Sequence, residues 1–210
     1  MGSHDELPAR GPLTTFPAPG LRDIQRNVTT HNEAGEGVFL PADNGAHQSV
    51  MVNGGALSNI LYQTTGWPVD LQDEKDVKWA EATEPGLMSP NGSLVRIIDF
   101  APGIASPPHR ALTLGYGCVL EGVLSFELDS GEKRIMRRGD VSVNRATIHT
   151  WRNITPLDEQ GGLARMLYVL LPIEPLKVGP KGEEVQQELG YLARSYPVDY
   201  PELAEGEEKK

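Results

Sequence analysis

Cysteine is nearly absent from this chain. Cys118 is the single one among 210 residues, which excludes an internal disulfide and a cysteine-built zinc cluster. A lone thiol also suits a reducing compartment. No stretch reaches the roughly 18 consecutive apolar residues of a membrane-crossing helix. No basic start followed by an apolar run marks a secretory leader, so a cytoplasmic location is the expectation. Basic residues are scarce beside acidic ones, 19 against 29, for a net charge of −10. That balance excludes the basic face that nucleic acid or an anionic membrane requires. Part of the acidic excess sits in the terminal PELAEGEEKK. Internal repeats are lacking. The glycine-rich Asn53-Gly54-Gly55 has no strand before it and no helix after it, so it is no phosphate loop.

What is present is punctuation. The 23 glycines and 17 prolines are spread along the chain and divide it into short segments. From Ser93 onward the divisions become regular. LVRIIDFAPG, LTLGYGCVLEG, VLSFELDSGEKRIMRRG, DVSVNRATIHTWRNIT and ARMLYVLLPIEP read as strands or strand pairs closed by Pro-Gly, Glu-Gly or Asp-Ser-Gly. Upstream, RNVTTHNEAGEGVFLP reads as a hairpin, and Ile60 to Thr65 as a strand before the Trp67-Pro68 break. QDEKDVKWAEATEPG is a polar connection with room for a helical turn. Short strands with turns every eight to twelve residues predict a sandwich or barrel. One helix is expected, over GEEVQQELGYLARS, where Val185, Leu189 and Leu192 form a stripe at helical spacing. The expected organisation is a partly mobile N-terminal arm over residues 1–20, a barrel with N-terminal strands over 21–174, and a helix with an acidic tail over 175–210.

Two segments carry chemistry. Gly103-Ile-Ala-Ser-Pro-Pro-His109 runs on to Glu121-Gly122, and Gly139-Asp140 runs on to His149-Thr-Trp151-Arg-Asn153. With the hairpin between them, they resemble the two motifs of the cupin superfamily across roughly residues 95–171. The first family motif is Gly, five residues, His-x-His, a Glu, and Gly after six more. The second is Gly, about five residues, Pro-x-Gly, then His and an Asn four residues on. HRALTLGYGCVLEG is similar to the His-Arg-Thr-x-x-x-Asp-Tyr-Gly-x-Val-Leu-Glu-Gly of a fungal and bacterial subgroup from secondary-metabolite clusters.

The resemblance implies a double-stranded β-helix, an all-β jelly-roll barrel, and a homodimer. It also implies iron, manganese, zinc or nickel held by three His and one Glu. His109 and His149 match the first and last of those ligands. Ala111 and Gly115 stand where the second His and the Glu belong, and neither can ligate through a side chain. A metal-free site is therefore expected, with His109 and His149 as the ligands if a metal is present.

Alternation puts His109, Ala111, Thr113 and Gly115 on one strand face, and His149, Trp151 and Asn153 on another. In the cupin register both faces point into the barrel. Two imidazoles near their reference pKa would then face an apolar cavity and act as base and acid. Trp151 and Asn153 would contact substrate, or serve the core. Arg145 replaces the Pro of the second motif and could hold a carboxylate or phenolate at the mouth. Tyr168 and Met166 lie in the last barrel strand and line either cavity or core. Trp67 is a lid or part of a satellite cluster. Arg110, facing away from His109, suits an outer salt bridge; Tyr116 and Cys118 suit a surface or dimer contact.

Three functions fit. The first is a metal-independent lyase or isomerase that tailors an aromatic or polyketide-derived small molecule by dehydration, decarboxylation, ring opening or cyclisation. The second is a metal-dependent oxygenase or decarboxylase with irregular ligands. The third is a non-catalytic binding protein.

Overall fold

A computed structural model describes residues 12–204. The strands are β1 (Thr29–His31), β2 (Gly37–Phe39), β3 (His47–Met51), β4 (Ala56–Gln63), β5 (Leu94–Phe100), β6 (Thr113–Glu121) and β7 (Val123–Leu128). They continue as β8 (Lys133–Arg137), β9 (Val141–Arg145), β10 (His149–Asn153), β11 (Ala164–Pro172), β12 (Lys177–Val178) and β13 (Glu183–Glu184). Helices are few: α1 (Lys75–Ala82) and the short α2 (Pro201–Ala204), with a 3-10 segment at Gly190–Ser195. Among the described residues no helix is long and apolar enough to cross a membrane.

The fold is an all-β jelly roll of two facing antiparallel sheets. The larger runs β3-β4-β5-β11-β6-β9 and the smaller β10-β7-β8. The segment before β6 adds to the free edge of β10 through Ala105↔Arg152 and His109↔His149 bridges. Alternation explains the layering. Along β5, Leu94, Arg96, Ile98 and Phe100 face the second sheet, while Ile97 and Asp99 face outward. β6 ends at Gly122, where φ is +78° and an added Cβ would lie 2.4 Å from Thr155 Oγ1. The motif's closing glycine is thus fixed by backbone angle and by space.

Of the two expectations for the N-terminal arm, laid on a surface or left mobile, the described part shows the first. Leu13, Phe16, Ala18 and Leu21 are buried against Leu57, Ile97 and Leu163, covering the outer face of the large sheet. Residues 1–11 lie outside the described ones.

The expected C-terminal helix is corrected. Val185, Leu189 and Leu192 are buried as their stripe suggested, but the backbone is not helical. Glu188 exchanges two backbone hydrogen bonds with Arg110, so this part of the chain runs extended beside the His109 segment. Gly190, at φ +55°, then turns the chain into the 3-10 segment. The longest helix is instead α1, in the polar connection. Its Val77 and Ala80 are buried, and Tyr62 donates from its hydroxyl to Asp76.

Candidate active site

The cavity lies between the two sheets and encloses about 880 Å³ of empty space, part of it open to solvent. Its wall is mostly apolar: Met51, Leu87, Ile98, Phe100, Ala111, Trp151, Leu170, Leu189 and Leu192. Polar groups are few and convergent, as in small-molecule sites generally. They come from Arg96, Ser106, His109, Thr113, Ser142, Asn144, His149, Tyr168 and Tyr196. The C-terminal segment closes one side, with Leu189, Leu192 and Tyr196 packed on Met51, Ala56 and Leu87.

The two histidines meet inside. Their backbones exchange a pair of 3.0 Å hydrogen bonds, and their ring centroids stand 4.2 Å apart. Such a close, non-hydrogen-bonding ring pair is compatible only with rings that are not both charged. Burial is the main cause that pushes His149 down to about 3, with His109 adding to it. Burial likewise lowers His109. Titration near the reference value, expected from the sequence, is thereby corrected: both rings are neutral at physiological pH.

Their hydrogen bonds define what each can do. His109 Nδ1 lies 2.9 Å from Pro107 O and therefore carries the proton. Its Nε2 keeps a lone pair. His149 Nδ1 lies 3.0 Å from Thr147 O and 2.9 Å from Asn144 Nδ2, an acceptor and a donor. Asn144 is oriented by Thr147, whose N–H and hydroxyl both donate to Asn144 Oδ1 at 3.1 Å. As the Nδ1–H tautomer, His149 donates to Thr147 O. As the Nε2–H tautomer, it accepts from Asn144 Nδ2. The ring can thus present either a lone pair or an N–H at Nε2. Neither Nε2 has a protein partner among the described residues.

These side chains do not complete a metal site. His109 and His149 offer two ring nitrogens, with Ala111 and Gly115 at the remaining motif positions. No group of three or more His, Cys, Asp or Glu side chains converges among the described residues. Protein zinc and non-haem iron sites ordinarily use at least three. The donor set present does not fit the family's metal.

The other expected residues divide. Trp151 lies on the cavity wall, 4% exposed, stacked on Phe126 at 4.3 Å. Thr113 and Tyr168 also reach the wall. Burial raises the Tyr168 phenol, and neighbouring Tyr196 adds to the rise while Arg96 opposes it. Met166 is fully buried in the core among Phe100, Val119 and Leu124, not on the wall.

Asn153 is corrected from substrate contact to brace. Its Nδ2 donates to Phe100 O, Ala101 O and Gly162 O, and its Oδ1 accepts from Thr155. No polar capacity remains for a ligand. Arg145 is corrected too: β9 turns Ser142 and Asn144 inward and leaves Arg145 exposed outside. Trp67 is 64% exposed and lies off the cavity wall, so it is no lid in this conformation. Arg110 faces outward and pairs with Glu188 at 2.7 Å, and Tyr116 is exposed on the outer face.

Sequence reasoning missed Arg96, Tyr196 and Asn144. For Arg96 a signal existed. In LVRIIDF it is in phase with Leu94, Ile98 and Phe100, so alternation already put a cation on the inner face. Tyr196 arrives from the misread C-terminal segment, and only the tertiary fold brings it in.

No family model matches the sequence. Curated relatives do. The cupin-domain-containing oxidoreductase srdB of Neurospora crassa is 48% identical over 95% of this chain and 97% of its own length. The cupin-domain-containing oxidoreductase virC of Hypocrea virens is 49% identical over 82% of this chain and 88% of its own. Among solved structures, KdgF from Halomonas sp. covers 61% of this chain and 90% of its own at 19% identity, with a TM-score of 0.39. At such identity across nearly whole chains, the protein belongs to the cupin superfamily.

Proposed function

We propose that this protein is a tailoring enzyme of natural-product biosynthesis that moves protons on an aromatic or polyketide-derived small molecule without a metal. One observation carries the reading: two neutral imidazoles side by side on the wall of an apolar cavity, each with Nε2 unengaged. His109 is fixed as an acceptor at Nε2 by its bond to Pro107. His149 can switch between acceptor and donor, because Thr147 and Asn144 support either tautomer. A base beside a donor suits removal of a proton at one substrate atom and delivery at another. Dehydration, ring opening and cyclisation can use that exchange, and decarboxylation its delivery half. Burial makes both rings weak bases; a substrate that brings negative charge against them strengthens them. Trp151 and the apolar wall hold the substrate and keep water out. The setting is supported by relatives such as the phomopsin biosynthesis cluster protein D of Diaporthe leptostromiformis, 37% identical over 78% of this chain.

The name of the fungal relatives favours a second reading, oxidation or reduction of the same class of molecule. It requires an external oxidant or reductant, with or without an irregularly bound metal. A third reading is a binding protein without chemistry.

The test uses a strain lacking the gene, which accumulates the substrate. Purified protein is expected to convert that compound at an unchanged rate after chelation and without oxygen uptake. His149→Ala and His109→Ala are expected to lose about 100-fold or more in turnover while still binding it. Loss of activity on chelation, or stoichiometric oxygen consumption, overturns the proposal in favour of the redox reading. Wild-type turnover by both variants overturns the assigned roles, and binding without conversion by the wild type favours the third reading.

A further inference from the structure

Arg96 is a buried cation with no counter-ion among the described residues. It is 2% exposed, stands on the inner face of β5 and lines the cavity. Its Nη1 donates to Tyr196 Oη at 2.8 Å, and its Nη2 donates to Gly86 O and Leu87 O at 3.2 and 3.1 Å. All three acceptors are neutral. Nε is buried and has no partner among the described residues. Asp199 packs against Gly86. It accepts the Leu87 N–H and forms no ion pair with Arg96. A buried lysine or histidine in such a place would shed its proton, but a guanidinium does not. A buried charge without a partner of opposite sign is destabilising, so the site favours an anion beside it.

The surroundings point to what completes it. Tyr168 is the cross-strand neighbour of Arg96 in the β5–β11 register. Its hydroxyl has no hydrogen-bond partner among the described residues, although the ring is on the cavity wall. Tyr196 accepts from Arg96 through its oxygen, so its own O–H remains free to donate, and the adjacent cation makes it a better donor. The guanidinium also lies over the Tyr196 ring, 5.1 Å from its centroid. Among the described residues, one unneutralised cation and two phenol donors without an acceptor thus share a single apolar chamber with the histidine pair.

We propose that Arg96, with Tyr168 and Tyr196, is an oxyanion subsite, and that the ligand of this cavity is an acidic aromatic molecule held by a carboxylate or phenolate oxygen. This deepens the functional reading above, since it names the substrate class for the same chamber. The anion supplies the counter-charge to Arg96, and its apolar ring system lies against Trp151, Phe100 and Leu170. Arg96 and the tyrosines bind and orient; the proton moves at the histidines.

The test is binding, so it is independent of turnover. The probes are 2-naphthoate against 2-naphthamide, and 4-nitrophenolate against 4-nitroanisole, each titrated into the full chain by calorimetry. At least one anion is expected to bind ten-fold or more tightly than its neutral partner. Arg96→Met is expected to erase that preference while leaving the neutral partner's affinity within about two-fold. Arg96→Lys, which keeps the charge, is expected to retain part of it, and a melting curve for each variant checks folding. Which pair shows the preference separates a carboxylate from a phenolate ligand. Equal affinity of anion and neutral partner in both pairs, or no binding of either anion, overturns the proposal. A preference that survives in folded Arg96→Met overturns the assignment to Arg96. In folded His149→Ala, retained anion binding with lost turnover supports the subsite and the proton-transfer reading together. Retained binding with full turnover defeats only that reading.

Discussion

Two buried arginines sit on neighbouring strands of the large sheet and face opposite ways. Arg165, on β11, points outward beneath the N-terminal segment and meets Asp99 through two hydrogen bonds of 2.6 and 2.8 Å. Asp99 also accepts the Ala18 N–H, and Arg165 donates to Arg22 O, so the pair staples the N-terminal segment to the sheet. Arg96, on β5, points inward and among the described residues finds only neutral oxygens. Both are about equally buried. The outer pair is closed and serves the fold. The inner charge has no anionic partner among the described residues, which is what the proposed oxyanion subsite uses.

The sharpest way to break this contrast is Asp99→Ala. It strands a buried guanidinium and frees the Ala18 amide, so unfolding stability is expected to fall by about 3–5 kcal/mol. Chemical denaturation checks this. A loss under about 1 kcal/mol would show that the outer pair is not the staple it looks to be.

The cavity side should answer to acid. The folded-state pKa of His149 lies far below its unfolded value, so it is the unfolded chain that takes up the proton. Stability tied to the neutral ring is therefore present above pH ~6.5 and is lost as pH falls towards the depressed folded value. Between pH 6.5 and pH 5 the expected loss is about 2 kcal/mol from this ring, and His109 shifts in the same direction. His149→Gln should flatten the slope in denaturation curves taken across that range. An unchanged slope would mean that the rings titrate normally.

Arg96→Met comes next in size. It removes an uncompensated buried charge but leaves three oxygens without a donor. These opposing effects leave an expected stability change of about 1–2 kcal/mol at most, well below that of Asp99→Ala. A larger loss would make Arg96 a structural residue like Arg165.

Legibility in the sequence follows the same division. The strands from Leu94 to Pro172 could be read because turn residues and two-residue alternation are local signals. His109, Thr113, His149, Trp151 and Tyr168 could be placed on the cavity wall because they obey that alternation within the motif. Arg145 failed by one residue of phase, since the same rule applied to β9 turns Asn144 inward. Asn153 failed for another reason. Alternation aimed it inward correctly, but the backbone carbonyls of 100, 101 and 162 consume its amide, and those come from distant segments. The C-terminal stripe misled because apolar spacing reports burial, not backbone conformation. Glu188 found a strand edge at Arg110, and pairing there outweighed helix formation. With that segment went Tyr196, and with Tyr196 the view of how Arg96 is held.

The smallest expected effect lies at that same edge. Arg110 Nη1 meets Glu188 Oε1 at 2.7 Å, with the glutamate side chain 56% exposed. An ion pair so open to water contributes little, because solvent screens it and two long side chains lose freedom in making it. The backbone bonds between Arg110 and Glu188 do not depend on the carboxylate. Glu188→Gln is therefore expected to cost less than about 1 kcal/mol, and to leave closure of the cavity by Leu189, Leu192 and Tyr196 unchanged. Hydrogen exchange at the Arg110 amide checks the second part. Faster exchange there in the variant would mean that the charge pair, not the backbone ladder and the burial of Leu189 and Leu192, holds the C-terminal segment over the site.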